Sequence, residues 1–162
     1  MLQEEALDIG IVRTPLLQSH GLTLHTLQRD RFVVALPATH RLAASESVHL
    51  SELAGEAFVM YSAAEAAGLH ASAMAACEAA GFVPEVGQEA TQVPTVLALV
   101  ESGLGVALVP EIVRGQREPQ VAYRDLKGQE ASETTLALAW QSGNESPAAQ
   151  RFIALVRDSG SP

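Results

Sequence analysis

The sequence predicts an α/β fold, in which short apolar strands alternate with helices along the chain. An alanine-rich helix is expected over residues 66–80. It ends at Gly81, because glycine adopts the left-handed conformation after a helix at little cost. A second helix is expected to end at Gly103, and the wholly apolar run 106–109 follows it as a buried strand. This alternation is typical of α/β domains with largely parallel sheets.

The strands are predicted from short apolar runs, rich in β-branched residues and bounded by turn residues. The run 7–12 ends before Thr14 and Pro15, and the run 32–36 ends at Pro37. The expected strands, in chain order, are 7–12, 22–27, 32–36, 57–61, 106–109, 121–124 and 136–140.

The helices are placed by capping residues and by the spacing of apolar residues. Thr91 is expected to cap a helix that runs to Ser102, with Pro94 tolerated in its first turn. Ser146 is expected to cap the terminal helix, and a short helix or turn is expected at residues 51–53. The predicted apolar face of the terminal helix consists of Ala149, Phe152, Ile153 and Val156.

The composition is that of a globular protein with a strongly negative net charge. Of 162 residues, 48% are hydrophobic and 18% are charged, and 10 Lys and Arg against 19 Asp and Glu give a net charge of −9. Surfaces that bind DNA need clustered positive charge to displace the counterions of the phosphates, whereas the arginines here are scattered singly. The chain is therefore expected not to bind nucleic acid by itself.

The cysteine, histidine and hydropathy patterns indicate neither a metal-binding protein nor a membrane protein. Cys77 is the only cysteine and is expected to pack as a small hydrophobe, and the five histidines show no zinc-ligand spacing. No cofactor is expected, because Gly103 and Gly105 follow a helix, whereas a dinucleotide fingerprint places its glycines before one. The acidic start lacks the features of a signal peptide, and no apolar run approaches the ~20 residues that span a bilayer. A cytoplasmic protein is expected.

Several motifs, in a fixed order, carry a resemblance to a known family. They are LDIGIVR at 7–13, LPATHRLA at 36–43, LAGEAF at 53–58, VESGLGVALVP at 100–110, YRDL at 123–126 and LAW at 138–140. Over residues 7–156 the chain resembles the effector-binding domain of LysR-type transcriptional regulators. The run 100–110 is the strongest of these motifs.

The resemblance implies a two-lobed fold like that of type 2 periplasmic binding proteins, truncated at its N-terminus. One lobe would hold residues 1–38 plus 134–162 and the other residues 39–133, with a small anionic or aromatic carboxylate effector between them. It further implies a homo-oligomer, either dimer or tetramer. DNA would be contacted only through a winged helix-turn-helix that has no counterpart here, and the first strand-helix unit of the fold also lacks one.

Effector contacts are expected in three loops, because ligands of α/β sheets bind beyond the carboxyl ends of strands, where helices begin. The resemblance places the family's contacts in the same loops. The expected effector-binding residues are Arg13, Thr14, Tyr61, Ser62, Thr91, Gln92 and Val93, with Arg13 as a counter-charge. The alternative is that Thr14, Ser62 and Thr91 serve turns and caps, and that Arg13 is a solvated charge.

Two other functional classes are compatible with the sequence. A solute-binding protein for transport would share the two-lobed fold, although no signal peptide supports it. A small α/β hydrolase would need a nucleophile, and Ser102 is a poor one, because it lies at a helix end and not on a strand-to-helix elbow. A regulatory protein without enzymatic activity is therefore expected.

Overall fold

The computed structural model describes residues 7–14, 21–115, 119–128, 133–143 and 146–158. The strands are β1 Ile9–Thr14, β2 Leu22–Pro37, β3 Ser47–Val48, β4 Ala57–Tyr61, β5 Glu85–Ala90, β6 Ala107–Pro110, β7 Val121–Leu126 and β8 Glu133–Gln141. The α-helices are α1 Ala67–Ala79, α2 Val93–Glu101 and α3 Pro147–Asp158, and two short 3-10 helices span Leu50–Leu53 and Glu111–Gly115. The predicted α/β fold class is confirmed.

The chain divides into two compact units. The first unit comprises residues up to Arg29 together with those from Thr135, and the second unit comprises Asp30–Thr134. The assignment of effector lobes to residues 1–38 plus 134–162 and to residues 39–133 stays a prediction.

The first unit is built around the antiparallel pair β1 and β8, in which Ile9 lies opposite Trp140 and Thr14 opposite Thr135. Helix α3 begins as predicted, since the Ala149 N–H donates to Ser146 Oγ over 3.3 Å. The predicted apolar face of α3 is wrong at Phe152, which is 43% exposed, whereas Ala149 and Ile153 are buried. The buried stripe is centred on those two residues, one helical turn apart, and Phe152 lies at its margin.

The second unit has a mixed sheet arrangement. Strands β4 and β5 are parallel, and β3 is parallel to β7, but β6 and β7 both run antiparallel to β2. The prediction of largely parallel sheets is therefore wrong. The two strands predicted at 22–27 and 32–36 are one 16-residue strand. The polar stretch between them contains neither glycine nor proline, so nothing in it stops the extended backbone.

Gly105 allows the chain after α2 to approach β4 closely. The Val106 N–H donates to the Ala57 carbonyl over 2.9 Å, and the Val59 N–H donates to the Val106 carbonyl over 2.8 Å. A Cβ at position 105 would lie 2.5 Å from the Ala57 carbonyl oxygen. Gly103, with φ of +75°, follows the end of α2 as expected. Both glycines therefore serve the backbone path.

The core of the second unit contains Cys77, which is fully buried as expected, in the apolar face of α1. Burial, with a smaller contribution from Glu78, raises the pKa of its thiol to about 12. Across the described ranges, no group of three or more His, Cys, Asp and Glu side chains is placed to hold a metal ion. No helix within those ranges is long and apolar enough to cross a bilayer.

Candidate functional site

The loops after β4 and β5 meet at the carboxyl ends of these parallel strands. Tyr61 ends β4 and Ala90 ends β5, and the two residues are register partners. The Ser62 N–H donates to the Ala90 carbonyl over 2.9 Å, which joins the two loops just beyond the sheet. The β4–β5 site, defined here by residues 61, 62 and 91–93, therefore unites two of the three predicted loops.

A helix starts in each of these loops without a side-chain cap. Helix α1 follows Ala66 and helix α2 follows Gln92, and neither first turn contains an acidic residue. Thr91 is not the cap that the sequence suggested. Gln92 holds the extended cap conformation (φ −128°, ψ 144°), and Pro94 then lies in the first turn. Uncapped N-termini carry partial positive charge and unsatisfied N–H groups, so this corner favours an anion.

The side chains of the β4–β5 site differ in their exposure. Thr91 and Gln92 are exposed, and Ser62 and Val93 are partly exposed, so these four can reach a ligand. The Tyr61 side chain is 1% exposed, and its hydroxyl donates to the Leu108 carbonyl over 3.1 Å. A contact between Tyr61 and an effector would therefore involve its backbone.

His70 is a neighbour of this site that the sequence reasoning considered only as a metal ligand. Its Nδ1 lies 2.7 Å from the Tyr61 carbonyl oxygen. Because a carbonyl only accepts, Nδ1 carries the proton, and Nε2 accepts hydrogen bonds when the ring is neutral. His70 lies in the first turns of the predicted helix 66–80, and this position could have indicated from the sequence that the residue is close to the site.

Arg13 and Thr14 lie in the first unit, at the end of β1. Arg13 is opposite Leu136 in β8, and its side chain is partly exposed. Its Nη1 atom is buried and has no hydrogen-bond partner among the described residues. Because buried donors are normally satisfied, this atom has spare capacity for an acceptor. The effector role of all the predicted residues stays a prediction.

Ser102 and His40 have local structural partners. The Ser102 hydroxyl donates to the Ala98 carbonyl over 2.8 Å at the end of α2. His40 Nδ1 accepts from the Leu42 N–H over 3.2 Å, and its Nε2 lies 3.2 Å from Glu56 Oε1 at ion-pair distance without hydrogen-bond geometry. These contacts stabilise a helix end and a turn, respectively.

The fold, which matches solved structures of LysR effector-binding domains, defines the class: an effector-binding domain with the type 2 periplasmic-binding-protein-like fold. The sequence matches the LysR substrate binding domain family over residues 1–161. The chain therefore belongs to the LysR substrate-binding domain family, as the sequence motifs indicated.

Known relatives agree with this assignment. The HTH-type transcriptional regulator AlsR of Bacillus subtilis is 33% identical over 155 residues, which cover 93% of this chain and 51% of AlsR. The chain thus spans about half the length of this curated relative. The C-terminal domain of a probable LysR family regulator from Rhodococcus sp. RHA1 superposes with a TM-score of 0.80 at 27% identity, covering 96% of this chain and 77% of that one.

The effector-binding domain of QuiR in complex with shikimate shares the fold. Its TM-score is 0.85 at 19% identity, and the match covers 98% of this chain and 74% of that one. At this level of identity the likeness concerns the fold, and the ligand is a property of QuiR.

Proposed function

We propose that this chain is the ligand-sensing part of a transcription regulator and that it binds a small organic carboxylate at the β4–β5 site. The observation that carries the proposal is the pair of uncapped helix N-termini, which begin in two loops joined by the Ser62–Ala90 hydrogen bond. Two helix starts at one corner stabilise a carboxylate by their N–H groups and partial charges.

The side chains around these helix starts support recognition of a polar carboxylate. The Ser62 hydroxyl and the Gln92 amide are accessible, and both groups donate and accept hydrogen bonds. Arg13 belongs to the first unit and stays a predicted effector-binding residue, and its Nη1 has no partner among the described residues. Shikimate, the ligand of QuiR, is itself a small polar carboxylate. From QuiR we adopt only the ligand class, a small polar carboxylate, and not shikimate itself.

We infer a regulatory output and no enzymatic activity. The curated relatives are transcriptional regulators. The Ser102 hydroxyl, the one nucleophile considered, donates to its own helix backbone. The effector would have to bind one conformation of the regulator better than another, because only differential affinity shifts a population.

DNA and partner chains enter this proposal indirectly. With a net charge of −9, the chain itself is poorly suited to DNA, so DNA would be contacted through a further domain of a longer protein. Oligomer formation, as a dimer or tetramer, would transmit the conformational change to that domain. A regulator of transcription acts where the DNA lies, so the proposal includes a cytoplasmic location without a membrane partner.

The test is calorimetric titration of the chain with a panel of small carboxylates that includes shikimate and benzoate. We expect saturable binding of at least one, weakened about a hundredfold or more in the double variant Ser62→Ala/Gln92→Ala, because each of the two lost hydrogen bonds to a charged group costs ~1.5–3 kcal/mol.

The matched control is Ser51→Ala/Gln88→Ala, which changes exposed residues of the same types in the same unit. This control should bind like the wild type. Equal weakening in both double variants, or a panel without any binder, would count against the proposal. Arg13→Gln and Thr14→Val, measured in the same way, test the contribution of the first unit.

A further inference from the structure

The second unit contains a cavity beside β7. It has a volume of about 510 Å³ and is formed by the turn containing Ala38 and Ala43, by Arg114 and by residues 121–124. We call it the β7 cavity. Its lining includes no residue of the β4–β5 site among those that the structure describes. The volume falls within the ~300–1,000 Å³ range of pockets for small molecules.

The β7 cavity has a positively charged lining. Arg114 and Arg124 both line it, and none of its lining residues in the described ranges is acidic. Arg114 Nη2 lies 2.6 Å from Asp125 Oδ1, which also accepts from Arg31 over 3.2 Å. Arg31 is also paired with both carboxylate oxygens of Glu111, so Asp125 compensates the charge of Arg114. Arg124, which has no carboxylate partner among the described residues, therefore supplies the positive charge of the lining, in a chain whose net charge is −9.

Arg124 is held in place by groups that leave its charge uncompensated. Its Nη1 donates to the Tyr123 carbonyl over 2.6 Å, and its Nη2 donates to the Ala43 carbonyl. Its Nε is buried, with no hydrogen-bond partner in the described part of the chain. Carbonyl groups orient a guanidinium but carry no net charge. A partly buried cation gains further stabilisation when an anion accompanies it.

We propose that the β7 cavity binds a small organic anion, with an oxyanion group on the guanidinium groups of Arg114 and Arg124. The apolar part of the anion would pack against Val121 and Ala122. A guanidinium presents a planar set of donors that matches carboxylate and phosphate oxygens, and both head groups are compatible with this site. The inference does not depend on the function proposed for the β4–β5 site.

The test is titration of the ¹⁵N-labelled chain with benzoate and, separately, with inorganic phosphate, followed through the backbone amide resonances. We expect saturable shifts at residues 121–124 with at least one probe. The probe that produces them identifies the head group as a carboxylate or a phosphate. Shifts at residues 62 and 91–93 report the β4–β5 site separately.

Two variants and one control locate the binding groups. Arg114→Gln should weaken binding about tenfold while the chain stays folded, because Asp125 keeps its contact with Arg31. Arg124→Lys should weaken it further, since an ammonium cannot reproduce the planar fork. Arg151→Gln, on an exposed position of α3, should bind like the wild type.

The proposal is overturned if neither probe causes saturable shifts at residues 121–124. It is also overturned if Arg114→Gln and Arg124→Lys, with native amide spectra, bind like the wild type. Shifts confined to residues 62 and 91–93 would equally overturn it, whatever they imply for the β4–β5 site.

Discussion

The two compact units bury very different amounts of apolar surface. The buried cluster of the second unit is continuous from β2 through β4 and β6 to α1 and α2. The first unit buries Leu138, Trp140 and Ile153 in one small cluster. Ile11 in β1 stays 64% exposed although it lies opposite the buried Leu138, so α3 covers only part of this sheet face.

This difference in burial predicts which unit resists local opening more strongly. The loop after β4 starts from a strand that is buried at residues 58–61, and the loop after β5 starts from the buried Ala90, although the rest of β5 is exposed. Regions with few buried apolar contacts open at lower free energy than regions with a continuous core. We therefore expect the first unit to open before the second.

The chain contains one natural probe for each unit. Trp140, the only tryptophan, lies in the small cluster of the first unit, and Cys77, the only cysteine, lies in the core of the second. Because only the thiolate reacts, and burial raises the Cys77 pKa to about 12, thiol reagents at pH 8 report opening of the second unit.

The largest effect on stability is expected from Gly105→Ala, which should destabilise the second unit selectively. The new Cβ would lie 2.5 Å from the Ala57 carbonyl oxygen, at a position where φ is +155°. We expect a loss of about 3 kcal/mol in the free energy of unfolding, from overpacking and backbone strain combined. Denaturant titration followed by Cys77 labelling measures it.

Gly103→Ala is the matched control, because a Cβ there meets nothing within 4 Å and only φ of +75° is unfavourable. Its cost should be about 1 kcal/mol. Equal costs for the two variants would show that the close approach at Gly105 is not important for stability.

A comparable effect, and a sharper comparison, is expected from the same substitution in each core. Leu53→Ala in the second unit and Leu138→Ala in the first each remove a buried leucine, which costs about 2–4 kcal/mol. Leu138→Ala should lower the midpoint reported by Trp140 fluorescence more than the midpoint of Cys77 labelling. Leu53→Ala should do the reverse. One shared transition, shifted equally for both probes, would contradict the distinction between the units.

The smallest effect concerns a surface ion pair of the second unit. Arg31 donates to both carboxylate oxygens of Glu111, each over 2.7 Å, and this hydrogen bond, with the attraction between the charges, holds the Glu111 pKa below its usual range. A lowered carboxyl pKa stabilises the fold above the unfolded value of ~4.3, and this stabilisation is lost as pH falls through the folded pKa.

Because both side chains are more than a third exposed, solvent screening keeps the gain small. Glu111→Gln should lower the free energy of unfolding at pH 7 by less than ~1 kcal/mol, and the difference should vanish in acid. Glu46→Gln, on an exposed turn, is the control, and a pH-independent difference would rule out this ion pair as the cause.

Much of the local structure was predictable because single residues determine where elements end. Gly81 and Gly103 end their helices, Pro37 ends β2, and Ser146 caps α3, as the sequence indicated. The order of short motifs, with the run 100–110 foremost, was also enough to indicate the family.

Other features depended on partners distant in sequence. Strand β2 runs through residues 28–31 without a break, and from Phe32 onward it pairs with β6 and β7, which lie far along the chain. Whether Phe152 is buried depended on how far the sheet extends beneath α3. The cap at Gln92 and the contact between His70 and Tyr61 depended on the path of the loops after β4 and β5.

The local sequence was therefore sufficient for the α/β class, several element ends and the family, because these depend on backbone preferences and on residues close together in the chain. Only the folded arrangement brought Ser62 beside Ala90, so that two uncapped helix N-termini face one corner of the sheet. The same holds for Arg114 and Arg124, which both line the β7 cavity. Binding chemistry requires groups to converge in space, and long-range strand pairing decides that convergence.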